Sequence, residues 1–235
     1  MTNISCAIIG LGNIGFEHNR NSFNLIQNHA KAFHSINKIK LICGVDKSYK
    51  KRKLFKKIYR VDTFKNLDEA KKLHNPELFV VSVNSVNLFN TVKKIALNFK
   101  PKVIVCEKPI AYQYNKILKL VSLLKKKRIK LFINFQRRSD PSYISLKKSI
   151  NKNGVRMIGK VFYEKGFIYN CCHYINLMMF MFGRYKSHEV LMKKRLNNLD
   201  YKINTLVQFE KASVNFFYKK KCLKEFEFKN NKNYL

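Results

Sequence analysis

Three glycines at residues 10–15 (GLGNIG) form a G-x-G-x-x-G pattern of the kind that binds a pyrophosphate. They directly follow an apolar stretch, Ile4 to Ile9, which predicts a first β-strand that ends where the glycines begin. Glycine permits a sharp backbone turn and leaves no Cβ between the chain and a phosphate, and the N–H groups of the next helix then face the phosphate charge. We therefore predict dinucleotide contacts from Gly10, Gly12, Asn13, Ile14 and Gly15.

An acidic residue follows the next apolar stretch. Residues 40–45 predict a second strand, and Asp46 comes directly after it, where a dinucleotide-binding unit holds the adenosine ribose hydroxyls. The spacing from Gly15 to Asp46 exceeds the usual value of about 20 residues, and a polar insertion, His18 to Asn28, explains the excess. The alternative is that Asp46 only opens a turn. Lys47 adds a positive charge that tolerates a 2′-phosphate, so both NAD and NADP are open as coenzymes.

A lysine stands at the end of a later predicted strand. Glu107-Lys108-Pro109 follows residues 102–106, so Lys108 lies at the carboxyl end of a parallel strand, where doubly wound folds bind ligands. A lysine beside a nicotinamide can hydrogen-bond a substrate hydroxyl and help to move its proton. We predict that Glu107 and Lys108 contact the coenzyme and that Lys108 also acts on the substrate. The alternative is a solvated lysine, one of many in this chain.

A histidine opens a very apolar helix predicted over residues 174–182. His173 can accept the proton of an alcohol that is being oxidised, because histidine side chains in general titrate near neutral pH. The alternative is a histidine that is simply packed in the core. Arg137 and Arg138 follow a strand end and can clamp a phosphate or carboxylate on a substrate, or they are surface charges. Cys171 and Cys172 precede the histidine, but adjacent cysteines rarely ligate one ion well, so we expect no metal site.

Apolar stretches alternate with helical patterns along the first 135 residues. Such alternation predicts an α/β domain, a Rossmann-type doubly wound parallel sheet with helices on both faces. Besides the two strands above, the predicted strands are 78–83, 102–106 and 130–134, and the predicted helices are 30–36, 90–98 and 112–127.

The pattern changes in residues 136–235, which predict an α+β domain with an open, largely antiparallel sheet. Apolar side chains alternate along residues 206–216, and we expect this face (Val207, Phe209, Val214 and Phe216) to drive association into a homo-oligomer. The predicted helices are 142–151, closed by Asn153-Gly154, and 174–182, capped by Gly183; the predicted strands are 157–167, 201–210, 212–218 and 223–229.

The composition favours a globular protein with a large core. The chain has 235 residues, 46% of them hydrophobic, and carries 48 Lys and Arg against 14 Asp and Glu, a net charge of +34. The lysines are spread from end to end, which favours compositional drift over a specific nucleic-acid partner. No apolar run reaches the about 20 residues of a membrane span. Without a secretory signal, and with six cysteines that lack C-x-x-C spacing, we expect reduced thiols in the cytoplasm.

Taken together, the motifs resemble the Gfo/Idh/MocA family of NAD(P)-dependent oxidoreductases, which includes proteins similar to glucose–fructose oxidoreductase and inositol dehydrogenase. The resemblance implies that the second domain forms the substrate pocket and the oligomer interface, that Lys108 is the catalytic lysine and that His173 is the histidine on the substrate side. The motifs that carry it are GLGNIG (10–15), GVD (44–46), CEKP (106–109), QRRSDP (136–141), the glycine pair 154 and 159, and KGFIYNCCHYIN with FG (165–183).

The sequence departs from the family at several positions. Tyr169 and Asn176 stand where the family often has aspartates. We expect Tyr169, as a catalytic residue, or Asn170 to orient the substrate. Lys165-Gly166, Asn170 and His173 match a pattern that some members carry, and this resemblance implies that Lys165 and Asn170 contact the substrate. Residues 83–88 lack the usual proline and histidine, and Asn84 is kept as a coenzyme contact. The chain also ends earlier than typical members, so we expect the last strands of the second sheet to be missing.

The predicted function is hydride transfer between nicotinamide and a hydroxyl or carbonyl group of a sugar, cyclitol or nucleotide-linked sugar. Two alternatives stay open. One is a shortened family member that binds the coenzyme without catalysis, which the altered residues favour. The other is a basic nucleic-acid-binding protein, which the net charge of +34 alone suggests.

Overall fold

The computed structural model of the chain describes residues 3–22, 24–153, 156–220 and 226–230, without the side chains of 151–153 and 230. The chain divides into two compact units, Met1–Asn134 and Phe135–Leu235. Each unit has a sheet and a hydrophobic core of its own.

In the described part of the first unit, six parallel strands lie in the order β3-β2-β1-β4-β5-β6. This is the order of the dinucleotide-binding doubly wound fold, in which the chain reverses direction across the sheet between β1 and β4. The predicted α/β class is confirmed. The strands are β1 Ile4–Ile9, β2 Ile39–Val45, β3 Asp62–Phe64, β4 Leu78–Val81, β5 Val103–Cys106 and β6 Lys130–Ile133; the helices are α1 His29–His34, α2 Tyr49–Tyr59, α3 Leu67–Leu73, α4 Ser85–Asn98 and α5 Tyr114–Lys126.

Both faces of this sheet are buried because side chains alternate across each strand. In β1, Ala7 and Ile9 pack into the core formed with α3, α4 and α5, whereas Cys6 and Ile8 pack into the core formed with α1 and α2. Phe55 from α2 is fully buried in the second of these cores. The continuous apolar composition of the central strands follows from this two-sided burial.

Several elements of the first unit differ from the prediction. The helix expected from residue 90 begins at Ser85, and the helix expected over residues 30–36 is His29–His34. Helices α2 and α3 and strand β3 were not predicted. Five of the eleven residues of α2 are apolar or aromatic, but only Phe55 is buried, and β3 is a three-residue strand that is partly exposed. Neither element therefore gives a clear periodic signal.

In the described residues of the second unit, five strands form a mixed sheet in the order β11-β7-β10-β9-β8. Strands β7 and β10 are parallel and the other neighbours are antiparallel, which confirms an open, largely antiparallel sheet. The strands are β7 Met157–Tyr163, β8 Tyr185–Arg195, β9 Tyr201–Phe209, β10 Ala212–Tyr218 and β11 Phe226–Asn230; the helices are α6 Pro141–Asn153 and α7 Cys172–Phe182.

One sheet face of this unit forms the core. Val207, Phe209, Val214 and Phe216 are buried together with side chains of α7, including Leu177. The expectation that these four residues form the surface for self-association is therefore wrong, because α7 already covers them. The opposite face carries Ile158, Phe162, Leu206 and Phe217 among polar residues, at the alternate positions of β7, β9 and β10.

The strand predicted over residues 157–167 ends at Tyr163. Lys165 and Gly166 have positive φ angles of 62° and 102°, which a strand does not tolerate, and a single helical turn, Phe167–Cys171, follows. The exposed strand β8 was not predicted, because its charged residues give no alternating apolar pattern. Gly154 and residues 223–225 of the predicted elements lie outside the described residues.

The described cysteines are free: Cys6, Cys43, Cys106 and Cys171 are buried and Cys172 is partly exposed, while Cys222 lies outside the described residues. Burial raises the pKa of Cys43 to about 12, so this thiol stays neutral near pH 7. Across the ranges described, no cluster of three His, Cys, Asp or Glu side chains is arranged to hold a metal ion. Among the helices described, none combines the length and the apolar composition needed to cross a membrane.

Candidate functional site

The turn after β1 is held tightly against its neighbouring strands. Gly10 has φ +91°, and its N–H donates to the Val45 carbonyl oxygen at 2.8 Å. A Cβ at this position would lie 2.8 Å from the Ser82 backbone. Ser82 Oγ donates in turn to the Gly10 carbonyl oxygen at 2.8 Å. Both the positive φ and the close backbone approach therefore require glycine here.

The other two glycines of the motif have different surroundings. A Cβ on Gly15 would lie 2.0 Å from the Gly10 carbonyl oxygen, so Gly15 is needed for the packing of the turn itself. A Cβ on Gly12 would meet only Lys51 Nζ, at 3.9 Å. Within the described part of the chain, no neighbouring atom requires glycine at residue 12, and the space beside it is open to a ligand that approaches the backbone closely, as a pyrophosphate does.

Asn13 and Ile14 open the helical turn Asn13–Glu17, which follows Gly12 directly. Backbone N–H groups at the start of a helical turn have no acceptor within it and can face an anion. Ile14 is 44% exposed, so this part of the loop is accessible. Asn13 and Ile14 are not among the residues that line the cavity described below, and their contact with the coenzyme phosphates stays a prediction.

Asp46 fixes the edge of the same loop. Its Oδ2 accepts from the Leu11 N–H at 2.8 Å and its Oδ1 accepts from the Ser48 N–H at 2.7 Å. Arg52 donates to the main-chain carbonyls of Asp46 and Lys47 at 2.8 and 2.9 Å. Each carboxylate oxygen keeps a second lone pair for a ribose hydroxyl. Asp46 thus does open a turn, and it is also fixed in a position suited to ribose binding.

A cavity of about 530 Å³ lies at the carboxyl ends of β1, β2 and β4. Its volume is within the range of small-molecule sites, and it lies at the point where the strand order reverses. Of the predicted coenzyme contacts, Gly10, Gly12, Asp46, Lys47 and Asn84 line this cavity together. Glu107 and Lys108 are not among its lining residues, but they follow the adjacent strand β5 at the same sheet edge.

Glu107 is held by two side chains that the sequence analysis missed. Its Oε1 accepts from His29 Nε2 at 2.8 Å and from Asn134 Nδ2 at 2.7 Å. Burial raises the pKa of Glu107, but the hydrogen bonds from His29, Asn134 and the Lys108 main chain, together with the electrostatic attraction to His29, outweigh burial, so the pKa lies below its ordinary value. Glu107 is therefore a carboxylate near pH 7. Lys108 follows it directly, and the Lys108–Pro109 peptide bond is cis.

In the second unit, the predicted substrate residues lie along one continuous helical segment. Tyr169 and Asn170 belong to the turn Phe167–Cys171, and His173 is the second residue of α7. The His173 ring meets Phe135 edge-on, with 5.9 Å between ring centroids, and Tyr169 is 40% exposed. Lys165 stands just before the turn with a positive φ, so all four positions lie within nine residues of one another.

A buried aspartate organises this segment. Asp200 is 2% exposed and accepts three backbone hydrogen bonds, from Ile168 at 2.9 Å, Tyr169 at 2.8 Å and Tyr201 at 2.7 Å. A Cβ on Gly166 would lie 2.3 Å from Asp200 Oδ2, which explains the glycine there. The sequence analysis missed Asp200, because a single acidic residue after a polar stretch carries no periodic signal.

Arg137 and Arg138 contact aromatic rings of α7, although Arg138 itself is exposed. The Arg137 guanidinium lies over the buried Tyr174 ring at 4.7 Å, and the Arg138 guanidinium lies over the Phe180 ring at 5.6 Å. Arg138 also donates to the Asn176 carbonyl oxygen at 3.5 Å. Cation–π contacts of this kind restrict both side chains, so the two guanidinium groups are held against the aromatic rings of α7.

The family comparison agrees with the geometry of the first unit. A model of the Gfo/Idh/MocA oxidoreductase family, with an NAD-binding Rossmann fold, matches residues 4–135. No curated protein sequence matches the chain.

Solved structures share the fold of the whole chain. The WlbA dehydrogenase from Chromobacterium violaceum, in complex with NADH and UDP-GlcNAcA, has a TM-score of 0.74 at 16% identity, over 96% of this chain and 69% of that one. The WlbA (WbpB) dehydrogenase from Thermus thermophilus, in complex with NAD and alpha-ketoglutarate, has a TM-score of 0.69 at 16% identity, over 93% and 73%. An oxidoreductase from Agrobacterium radiobacter, in complex with NAD+, L-tartaric acid and magnesium, has a TM-score of 0.74 at 14% identity, over 97% and 71%.

The different surroundings of Gly12 and Gly15 predict different effects of substitution. Gly12→Val should leave the melting temperature nearly unchanged but weaken NADH binding by about tenfold or more, because the side chain fills the space that the pyrophosphate needs. Gly15→Ala should instead destabilise the fold by about 3 kcal/mol, because its Cβ clashes with backbone. Calorimetric titration with NADH and thermal unfolding of both variants test this; unchanged NADH affinity in Gly12→Val would contradict it.

The three backbone hydrogen bonds to Asp200 predict a large cost for Asp200→Asn. An amide offers only one acceptor oxygen, so at least one buried N–H loses its partner, and the free energy of unfolding should fall by about 2–3 kcal/mol. The matched control is Asp140→Asn, at an exposed residue whose Oδ1 accepts from the Ser142 N–H at 2.8 Å; it should change stability by less than about 0.5 kcal/mol. Equal effects of the two substitutions in urea unfolding would show that Asp200 does not organise the segment.

Proposed function

Because the chain belongs to the Gfo/Idh/MocA family of oxidoreductases, whose Rossmann fold binds NAD, we propose that it is an NAD(P)-dependent oxidoreductase acting on a sugar-type substrate. The reaction transfers a hydride between nicotinamide C4 and a carbon that carries a hydroxyl or carbonyl group. The observation that carries this proposal is Lys108, which follows a fixed Glu107 carboxylate at the sheet edge where the dinucleotide cavity lies.

The residues present in the first unit fit the coenzyme. The space beside Gly12 accommodates the pyrophosphate, and Asp46 accepts from the adenosine ribose hydroxyls. Lys47 and Asn84, which line the same cavity, contribute further polar contacts. The carboxylate of Asp46 favours the free 2′-hydroxyl of NAD, and Lys47 beside it leaves NADP as the second coenzyme. Bound nicotinamide supplies or accepts the hydride.

The chain's own residues handle the proton. In the oxidation direction the substrate carbon loses its C–H hydride, and the hydroxyl must lose a proton at the same carbon. Lys108 hydrogen-bonds the substrate oxygen, and the proton that the hydroxyl loses is accepted at a ring nitrogen of His173. Tyr169 and Asn170 orient the hydroxyl. In the reduction direction the same groups return the proton to the carbonyl oxygen.

Positive charge in the second unit favours an anionic sugar as substrate. Arg137 and Arg138 are held against α7, and Lys165 lies close to the segment that carries His173. Guanidinium groups bind carboxylate and phosphate well because their N–H groups are arranged as a fork. The complex of the Chromobacterium violaceum relative with NADH and UDP-GlcNAcA supports a nucleotide-linked sugar acid as the first substrate to test. The free, buried thiols support a reducing cytoplasmic location.

The proton-transfer roles predict a separation of chemistry from binding. Lys108→Ala and His173→Ala should each lower turnover by about 10²–10⁴-fold while NADH affinity and melting temperature change little. Lys108→Arg should also fail, because arginine does not readily give up its proton. Coenzyme reduction or oxidation is followed by absorbance, with NAD and NADP and a panel of inositols, sugars and UDP-linked sugar acids.

The matched control is Lys102→Ala. Lys102 precedes the same strand β5 at its opposite end and pairs with Glu77 at 2.6 Å, so its loss should leave turnover near normal. If His173 only packs in the core, His173→Ala will lower the melting temperature and leave turnover per folded molecule intact. If the unaltered chain binds NADH but turns over no substrate, the protein is a coenzyme-binding relative without catalysis, which the Tyr169 and Asn176 departures favour.

We also propose that the protein forms a homo-oligomer through the sheet face of the second unit that is opposite to α7. This face carries Phe162 and Phe217, stacked with 5.9 Å between ring centroids, and Ile158, which is 41% exposed. Burial of apolar surface between two such faces favours association. The net charge of +34 opposes it at low salt, where charges are poorly screened.

Light scattering tests this association. The unaltered chain should be oligomeric at moderate salt, and the oligomer should dissociate as the salt concentration falls. Phe217→Asp should give a monomer with an unchanged fold, whereas the control Tyr49→Asp, at a 69% exposed aromatic residue of the first unit, should leave the oligomer intact. A monomer at every salt and protein concentration would contradict the proposal.

A further inference from the structure

Three side chains from distant parts of the chain meet immediately before Lys108. Glu107 Oε1 accepts from His29 Nε2 at 2.8 Å and from Asn134 Nδ2 at 2.7 Å. The side chains of His29 and Glu107 are only 9% and 17% exposed. Because Glu107 is ionised and accepts, His29 must donate through Nε2. These three residues form one nearly buried hydrogen-bonded group, called here the Glu107 brace.

Each donor of the brace is itself fixed. His29 is the first residue of α1, which Asn28 caps by accepting from the Lys31 N–H at 2.8 Å. Asn134 follows β6, and its N–H donates to the Cys106 carbonyl oxygen at 2.8 Å. The main chain of Glu107 is also held, because its N–H donates to the Val81 carbonyl oxygen at 3.0 Å. Glu107 is thus fixed both by its backbone and by its carboxylate.

A buried carboxylate needs such hydrogen-bond partners, but the stability of a fold does not generally depend on burying a carboxylate. Burying a charge is costly unless it is hydrogen-bonded, and an apolar residue of similar size often packs as well. The side chain next to the brace, that of Lys108, has to reach one substrate atom, and a displacement of about 1 Å can cost about 10²-fold in rate. A rigid residue directly before Lys108 limits such displacement.

We propose that His29 and Asn134 are positioning residues that act through the Glu107 carboxylate to hold Lys108 in its working orientation. This inference rests on the proposed function, since it assigns the brace to the lysine that handles the substrate proton. Neither His29 nor Asn134 touches the substrate in this scheme. Their role is to hold Glu107 in place, which restricts the movement of the adjoining backbone of Lys108.

The test compares two substitutions at His29. His29→Leu removes the donor at similar volume and should lower kcat about 10–100-fold, with NADH affinity changed less than about twofold. His29→Gln places an amide N–H near the position of Nε2 and should keep most of the activity. Asn134→Ala provides a second route to the same loss if His29→Leu does not fold. Each variant is assayed with NAD and a UDP-linked sugar acid, and its NADH affinity and melting temperature are measured.

The chain offers a matched control for the loss of a histidine–carboxylate hydrogen bond. His74 Nε2 contacts Asp62 Oδ2 at 2.9 Å, also in the first unit, but at exposed positions beside the edge strand β3. His74→Leu should leave kcat unchanged. A fall in kcat equal to that of His29→Leu would overturn the proposal, because the effect would then belong to any such pair.

A double-mutant cycle separates positioning from general stability. If the brace acts through Lys108, adding His29→Leu to Lys108→Ala should lower kcat no further, whereas independent effects would multiply. Multiplied effects, or full activity of both His29→Leu and Asn134→Ala, would overturn this inference while leaving the role of Lys108 intact. Full activity of Lys108→Ala, or no turnover by the unaltered chain, would overturn the proposed function and this inference with it.

Discussion

The close approach of the glycine turn to the end of β4 is the constraint on which the first unit depends. The packing there leaves no room for a side chain at Gly10 or Gly15. Ser82 Oγ donates to the Gly10 carbonyl oxygen at 2.8 Å. The same turn is tied to β2, because Leu11 donates to Asp46. The ends of β1, β2 and β4 are therefore fixed to one another, and the cavity between them has its shape before any ligand enters. Preformed shape of this kind reduces the ordering cost of binding.

Much of the fold could be predicted because buried parallel strands are apolar throughout. The stretches at β1, β4 and β5 carry this signal, and the predicted strand over residues 4–9 has the observed bounds. The pattern failed where burial is slight, as in β3 and β8. The alternating pattern also could not show which face of the second sheet would be covered. Val207 and Phe216 were expected to face outward, yet α7 packs on them. The alternation of apolar residues along a strand does not indicate where a helix will pack.

The candidate site divides in the same way. Lys108 and Asp46 could be proposed as site residues from the sequence, because the carboxyl end of a parallel strand is a defined place in such folds. The residues that hold the site in shape could not. His29 meets Glu107 across 78 residues, and Asp200 meets Ile168 across 32. No local pattern records such pairings, since each partner looks ordinary in its own segment. The supporting hydrogen bonds of a site are thus the part that only a folded chain reveals.

The polar insertion between the glycine turn and α1 is a place where the chain can change in length. Asn28 Nδ2 donates to the His18 carbonyl oxygen at 3.0 Å, so the two ends of the excursion meet at a closed neck. Beyond a closed neck, added or removed residues cost little, because loop entropy grows only slowly with length. The glycine turn and His29, on either side of the neck, keep their places whatever the excursion carries. Residues can therefore be inserted or lost in this part of the chain, and surface added there, at little cost to the stability of the fold.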